Sequence, residues 1–193
     1  NGRIDVLIHN AAFVRWTDVV DMPVEEAQRT MRVGYDAMVF GTKTVLPWML
    51  AQNSGVLVNI GSVAGKAFVG GSSAAYAAVK AAIDAYTQTL QVELRDTAVT
   101  ATIIRLGAVG GTNFFKKHVS NERMPPIMRF VPALTPPQVA TAVVRAIHQR
   151  REIVTLPRYL GPLLQFYALF PRLSRTIARL GGRDDSDYAG MEW

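Results

Sequence analysis

Residues 55–62 read Gly-Val-Leu-Val-Asn-Ile-Gly-Ser. A short and almost continuous apolar run of this kind is typical of a strand buried on both faces of a parallel sheet. We predict a strand over residues 55–60, which the Gly-Ser pair closes. A loop rich in glycine and serine follows, and a helix predicted over residues 74–95 begins with Ala74-Ala75-Tyr76-Ala77-Ala78-Val79-Lys80. Strand, loop and helix together indicate one unit of an alternating α/β fold.

The alternation continues on both sides of this unit. Apolar runs predict further strands at residues 4–8, 99–106 and 152–156, and helical spacing predicts helices at residues 24–52 and 136–150, the second with Thr135 as its N-cap. One face of each long helix is largely apolar: Met38, Thr42, Val45 and Met49 on the first, and Val79, Ile83, Tyr86, Leu90 and Leu94 on the second. The fold predicted is α/β, a Rossmann-like doubly wound parallel sheet of about four strands with flanking helices.

One element of a nucleotide-binding sheet is missing from the sequence. Such a sheet normally has a glycine-rich turn between its first strand and a helix, whose N-terminal N–H groups bind pyrophosphate. Neither Gly70-Gly71 nor Gly110-Gly111 stands between a strand and a directly following helix. Since the sequence begins almost inside a predicted strand, we expect it to be the C-terminal portion of the sheet, with the phosphate-binding half upstream of Asn1.

Three residues carry candidate chemistry. Tyr76 and Lys80 are four apart on a predicted helix, so their side chains share one face. An ordinary tyrosine has a pKa near ~10, and a neighbouring ammonium lowers that pKa. A tyrosine tuned in this way exchanges a proton with a carbonyl or alcohol oxygen, and Ser62 at a strand end can hydrogen-bond the same oxygen. The set suits hydride transfer, in which charge develops on one oxygen.

Each of these residues also has an ordinary structural interpretation. A Tyr-x-x-x-Lys pair is common on helices, and Ser62 alone is an unremarkable residue at the end of a strand. The order of the elements favours catalysis, because the strand, the Gly-Ser pair and the loop lead directly to Tyr-x-x-x-Lys at the beginning of a long helix.

These motifs resemble those of the short-chain dehydrogenase/reductase family over roughly residues 1–156. The matching segments are His9-Asn10-Ala11-Ala12, Asn59-Ile60-Gly61-Ser62-Val63-Ala64-Gly65, Tyr76-Ala77-Ala78-Val79-Lys80, and Arg105-Leu106-Gly107-Ala108-Val109 with Thr112. The resemblance implies that Ser62, Tyr76 and Lys80 are catalytic. It implies NAD or NADP as cofactor, bound by Asn10, Ala11, Ala12, Tyr76, Lys80, Leu106, Gly107, Val109 and Thr112.

The implied function is an NAD(P)-dependent oxidoreductase that interconverts a carbonyl and a secondary alcohol. The resemblance also implies a homodimer or homotetramer held together by the two long helices. One departure keeps an alternative open, since Gly34 stands where the family has a catalytic asparagine. That alternative is a weakened or non-catalytic relative that keeps the fold for binding or dimerisation. Leu106 in place of a proline and Gly110-Gly111 before Thr112 are smaller departures.

Composition narrows the remaining possibilities. The 193 residues and 49% hydrophobic content suit one globular domain, and the absence of cysteine excludes disulfides and fits a cytoplasmic location. His9, His118 and His148 show no metal-ligand spacing, so no metal is expected. The net charge is +6, but no nucleic-acid-binding motif accompanies it.

The last segments of the chain have two interpretations each. The resemblance implies that residues 113–134 form a lid over the substrate, which Phe114 and Phe115 suggest is hydrophobic, whereas the bare sequence equally suits a passive surface loop. Residues 157–193 form a basic extension to the catalytic portion at residues 1–156, and residues 171–180 are amphipathic. Residues 159–180 could contact an anionic membrane surface peripherally, but packing on the domain or on a partner subunit is the favoured interpretation.

Overall fold

A parallel sheet organises the chain. The computed structural model describes residues 2–67, 74–112 and 132–180, the side chains of residues 177–180 excepted. The strands are β1 (Val6–His9), β2 (Gly55–Ser62), β3 (Val99–Leu106) and β4 (Ile153–Leu156). All pairs are parallel and the order is β1-β2-β3-β4, which confirms the predicted α/β fold class.

The helices are close to the predicted ones. They are α1 (Val24–Met31), α2 (Ala37–Ala51), α3 (Ala74–Leu94), α4 (Pro136–His148), α5 (Leu160–Leu169) and α6 (Pro171–Leu180). The single helix predicted at residues 24–52 contains a π-helical turn at Arg32–Asp36, between α1 and α2. Helix α5 is not predicted from the sequence. Its Pro162 is compatible with a helix because it stands in the first turn, where a missing N–H has no cost. Among the described residues, no helix is long and apolar enough to cross a membrane.

Both faces of the sheet are covered, as alternation along the strands requires. Leu57, Ala101 and Ile103 point to α2 and α3, where they pack with residues that include Met49 and Leu90. The neighbouring residues Val56, Val58 and Ile104 point to the other face, where they pack against Val143 and Ala146 of α4. The predicted faces of the two long helices are confirmed: all their residues are buried except Tyr86, which is partly buried. Thr135 caps α4, also as predicted.

The sheet is open along β1. This strand pairs with β2 on one side, and Ile4, Val6 and Ile8 are 42%, 38% and 46% exposed. An uncovered edge strand offers unpaired N–H and C=O groups to any other strand.

Candidate active site

Ser62 is fixed at the carboxyl end of β2. It is the last residue of the strand and lies opposite Leu106 of β3. Its Oγ donates a hydrogen bond to the Leu106 carbonyl at 3.3 Å and accepts one from the backbone N–H of Ala64 at 3.2 Å. The second bond caps the short 3-10 turn at Val63–Gly65, so the hydroxyl is held by the backbone on two sides.

The 3-10 turn after Ser62 lies directly against α3. A Cβ atom built on Gly65 would be 2.6–2.7 Å from backbone atoms of Lys80 and Ala81. No residue with a side chain fits at that distance, so glycine is required for this close approach of two main chains.

Tyr76 lies in the first turn of α3 and is hydrogen-bonded to Ser62. Burial raises the pKa of Tyr76 above its usual value of 10, and the hydrogen bond with Ser62 offsets part of that rise. The phenol is therefore protonated at neutral pH and able to donate. The Trp16 ring packs beside it, with ring centroids 6.5 Å apart.

Lys80 is buried one helical turn further along α3 and is 5% exposed. Its Nζ donates a hydrogen bond to the Ile60 carbonyl at 2.7 Å and lies 5.8 Å from the centroid of the Tyr76 ring. Burial lowers the pKa of Lys80 to about 8.

The net pKa shift of Tyr76 is opposite to the one predicted from the sequence. The sequence predicts that the ammonium lowers the pKa of Tyr76, whereas that pKa is raised. The reason is that burial disfavours the phenolate more than its neighbours favour it, and the Lys80 ammonium points to the Ile60 carbonyl.

The lowered pKa of Lys80 should give stability a distinctive pH dependence. An unfolded lysine titrates near ~10.4, so between about pH 8 and pH 10 the unfolded chain binds more protons at this position than the folded protein. The burial cost of the charge is present below that window and is relieved as the pH rises through it. We expect the free energy of unfolding to rise with pH, by at most about 1.4 kcal/mol per pH unit, relative to Lys80→Met.

Urea unfolding of both proteins across the window measures this difference. The exposed Lys43→Met is the matched control, and a wild-type slope in Lys80→Met would contradict the assignment.

The predicted cofactor residues follow strands at the same edge of the sheet. Asn10, Ala11 and Ala12 come directly after β1 and are exposed. Leu106 ends β3, and the Gly107 N–H donates to the Leu156 carbonyl at 2.7 Å. Beyond them, Val109 forms a bridge with Leu134, and Thr112 is the last described residue before the gap at residues 113–131. Some of the predicted features lie outside the described residues. They are the substrate residues Phe114 and Phe115, most of the predicted lid, and His118.

The donor chemistry of the site fits a nicotinamide cofactor. An ammonium has three N–H donors, and in the described part of the chain the Lys80 Nζ uses one of them, on Ile60. The other donors can serve the hydroxyls of a ribose. Among the described residues, no group of three or more histidine, aspartate or glutamate side chains could hold a metal ion.

Comparison with known proteins gives the family. The model of the family described as short chain dehydrogenase matches residues 1–123. The chain belongs to the short-chain dehydrogenase family. A similar protein is the NADP-dependent 3-hydroxy acid dehydrogenase of Schizosaccharomyces pombe, 31% identical over 155 residues, which are 78% of this chain and 59% of that protein. Another is the NADP-dependent 3-hydroxy acid dehydrogenase YdfG of Escherichia coli strain K12, 32% identical over 172 residues, which are 86% of this chain and 68% of that protein.

Solved structures of short-chain dehydrogenases have the same fold. The closed form of serine dehydrogenase complexed with NADP+ superposes with a TM-score of 0.69 at 28% identity, over 79% of this chain and 64% of that one. An enzyme of the family from Burkholderia phymatum in complex with NAD has a TM-score of 0.74 at 21% identity, over 89% of this chain and 68% of that one. This short-chain dehydrogenase chain thus spans about two thirds of the proteins it matches.

The structure gives a physical reason for glycine at position 34, where the resemblance to the family predicts an asparagine. It is buried in the π-helical turn between α1 and α2. A Cβ at this position would lie 2.7 Å from Cγ2 of Val79, a residue of α3 between Tyr76 and Lys80. The space that an asparagine needs is therefore filled by Val79 in this short-chain dehydrogenase.

A buried ionic cluster beside the site is not predicted from the sequence. The Asp84 carboxylate, 1% exposed, accepts hydrogen bonds from Arg105 Nε at 2.6 Å and Nη2 at 3.1 Å. Lys66 Nζ lies 2.9 Å from the same carboxylate, and Gln88 also donates to it. The cluster ties α3, the end of β3 and the segment after the 3-10 turn to one another. The sequence draws attention to Asp84, the one acidic residue between positions 74 and 92 and four after Lys80 on the same face, but it does not identify Arg105 as its partner.

A groove of about 810 Å³ lies along β4, and neither Ser62, Tyr76 nor Lys80 lines it. It is lined instead by residues of β4, α4 and α5 and by Lys66, Gln88 and Arg105. This groove is therefore separate from the candidate active site.

Proposed function

We propose that this chain is the catalytic portion of an NAD(P)-dependent oxidoreductase that interconverts a carbonyl and a secondary alcohol. The observation that carries the proposal is the hydrogen-bonded pair of Ser62 and Tyr76, with buried Lys80 one turn away on the same helix. Residues 1–156 are the catalytic portion, and residues 157–193 are a basic extension. NADP-dependent relatives make NADPH the first cofactor to test.

In the proposed mechanism the cofactor, when bound, supplies or accepts the hydride. During reduction the Tyr76 hydroxyl donates its proton to the carbonyl oxygen, and its raised pKa keeps the phenol protonated until that moment. The Ser62 hydroxyl, which donates to the Leu106 carbonyl in this structure, would turn its one proton to the same oxygen as negative charge develops there. Alcohol oxidation uses the same residues in reverse and requires the Tyr76 phenolate, so its rate should rise with pH.

The cofactor contacts follow from the placement of the proposed residues. Lys80 would hold the ribose hydroxyls with the N–H donors that Ile60 does not use. The nicotinamide end of the cofactor would be lined by two groups of residues. They are Asn10, Ala11 and Ala12 directly after β1, and Leu106 at the end of β3 with Gly107, Val109 and Thr112 after it. This placement agrees with the rule that ligands bind at the carboxyl ends of parallel strands.

The direct test uses the full-length protein with both reduced cofactors. We expect fluorescence titration to reveal binding of NADPH or NADH, and we expect the bound cofactor to be consumed with a carbonyl substrate. The relatives' names make 3-hydroxy acids the first alcohols to test in the oxidation direction. Binding of neither cofactor would overturn the proposal. Binding without turnover across a panel of ketones, aldehydes and hydroxy acids would favour the second candidate.

The second candidate is a relative that binds cofactor or dimerises without efficient catalysis. Gly34 favours it, because no side chain at this position can orient a proton-relay water. The intact set of Ser62, Tyr76 and Lys80 counts against it.

Substitution at position 34 separates the two candidates. Gly34→Asn alone should cost roughly 1–3 kcal/mol of stability, because its side chain overlaps Val79. Adding Val79→Ala should recover most of that loss, which urea unfolding measures. If the chain is an efficient catalyst, kcat of the double variant stays close to the wild-type value. A large gain in kcat would instead indicate a weakened catalyst, with Val79→Ala alone as the control.

We also propose that the protein is a homodimer or homotetramer. Phe40 and Trp48 on α2 and Val92 on α3 are 69%, 65% and 60% exposed, which supports an interface along these two helices. Light scattering of the full-length protein measures the oligomeric state.

A further inference from the structure

An apolar ridge lies on the outer side of α5 and the beginning of α6. It consists of six exposed side chains: Tyr159, Leu163, Phe166, Leu169, Phe170 and Leu173. Leu163 is 52% and Leu169 is 73% exposed, and the Phe166 and Phe170 rings contact each other with centroids 4.9 Å apart. Contiguous apolar surface of this kind marks an interaction site.

Cations flank the ridge, and among the described residues they have no acidic partners. Arg158, Arg172 and Arg175 are exposed, and residues 158–176 contain no aspartate or glutamate. Within the described ranges, the ion pairs of the chain involve none of these three arginines. Within the part of the chain that the structure describes, this positive charge beside the ridge is therefore not neutralised; Asp184, Asp185, Asp187 and Glu192 lie outside that part.

The other flank of α5 forms a wall of the groove along β4. This groove of about 810 Å³ is lined by five basic residues and, among the described residues, by no acidic one. Two of the five, Lys66 and Arg105, pair with Asp84. The other three, Arg145, Arg151 and Arg158, form no ion pair with any residue the structure describes. Helix α5 thus has apolar side chains on one side and a cationic groove on the other.

We propose that α5 and the beginning of α6 rest on a membrane surface that contains anionic lipids. The ridge would enter the boundary between headgroups and acyl chains, while the arginines beside it face lipid phosphates. A helix of 10 residues is about 15 Å long, which suits a position in the plane of the surface. This assignment does not depend on the proposed catalytic activity.

The charge pattern favours a membrane over a second copy of the chain. A two-fold interface brings the same surface of both subunits together. Pairing of two ridges would place Arg158, Arg172 and Arg175 near their own copies, with no acid in residues 158–176 to neutralise them. An anionic lipid surface provides the complementary charge.

Co-sedimentation with vesicles tests the proposal on the full-length protein. We expect binding to vesicles of phosphatidylcholine mixed with phosphatidylglycerol, and much weaker binding to phosphatidylcholine alone. Binding should weaken in high salt, because the screening length falls from about 10 Å at 0.1 M to about 3 Å at 1 M.

Paired variants identify the surface involved. Leu163→Ser with Leu169→Ser should lower vesicle affinity at least about tenfold, since both side chains lose apolar burial. Val144→Ser on α4 is the matched control, because Val144 and Leu163 are both 52% exposed. Arg172→Gln with Arg175→Gln should lower affinity by roughly fivefold per residue. Its control is Arg95→Gln, whose side chain is 72% exposed. Circular dichroism establishes that each variant is folded.

Three results would overturn the proposal. One is the absence of binding to anionic vesicles, and another is vesicle binding that the ridge variants leave unchanged. The third is a decrease of molecular mass in solution caused by Leu163→Ser with Leu169→Ser, without any vesicle binding by the wild type. That result would assign the ridge to an interface between copies of the chain.

Discussion

Tyr76→Phe should reduce turnover by a factor of roughly 10²–10⁴, the usual contribution of a positioned general acid. The substitution removes the hydroxyl that is hydrogen-bonded to Ser62 and keeps the ring that packs beside Trp16. The Lys80 ammonium remains anchored on the Ile60 carbonyl. Proton donation is therefore lost, while the groups that would hold the cofactor ribose stay in place.

Steady-state kinetics and cofactor titration on the full-length protein measure the two effects separately. We expect kcat to fall while the dissociation constant for the reduced cofactor stays nearly constant. Tyr86→Phe is the matched control, because Tyr86 lies on the same helix and its hydroxyl is hydrogen-bonded to Thr42 instead. Turnover at the wild-type rate in Tyr76→Phe would disprove the assignment of the acid.

Asp84→Ala should destabilise the protein by about 3–5 kcal/mol, the usual effect of breaking a buried ion pair. The loss arises chiefly at Arg105, whose side chain is 13% exposed and would remain buried without its carboxylate. Lys66 adds less, because 37% of its side chain is exposed to solvent.

A double-mutant cycle isolates the interaction. Asp84→Ala with Arg105→Met should be more stable than Asp84→Ala alone, because no unpaired charge then remains buried. Asp96→Ala is the control, since its pair with Arg95 is exposed and should change stability by less than about 1 kcal/mol. Urea unfolding measures the wild type, Asp84→Ala, Arg105→Met, the double variant and the Asp96→Ala control. Equal stability of Asp84→Ala and the wild type would contradict the role given to the cluster.

The strands and the long helices could be predicted because their signals are local. The strand at residues 99–106 agrees with β3 at both ends, and the helix predicted at residues 74–95 agrees with α3 to within one residue. The position of Ser62 near the end of β2 also follows from its sequence, although the strand predicted at residues 55–60 ends two residues before β2 does.

Features that depend on tertiary contacts were not predictable. The direction of the Tyr76 pKa shift is set by burial among α3, β2 and the segment around Trp16, which no spacing of residues reports. The pairing of Asp84 with Arg105 joins residues 21 positions apart. The π-helical turn at Arg32–Asp36 could not be predicted either, because its residues continue an ordinary helical pattern in the sequence.

The contact between Gly65 and the backbone at Lys80 has a consequence for altering this protein. Two main chains in van der Waals contact cannot move closer, and no side chain lies between them to be trimmed. The backbone contact at Gly65 therefore limits how close Ser62 and Lys80 can come to each other. Substitutions in the core beneath α3, at Val79 or Ile83 for example, should change the free energy of unfolding. They should leave the distance between Ser62 and Lys80 unchanged. Redesign of substrate preference should therefore keep position 65 as glycine and leave the loop residues proposed to bind the cofactor unchanged.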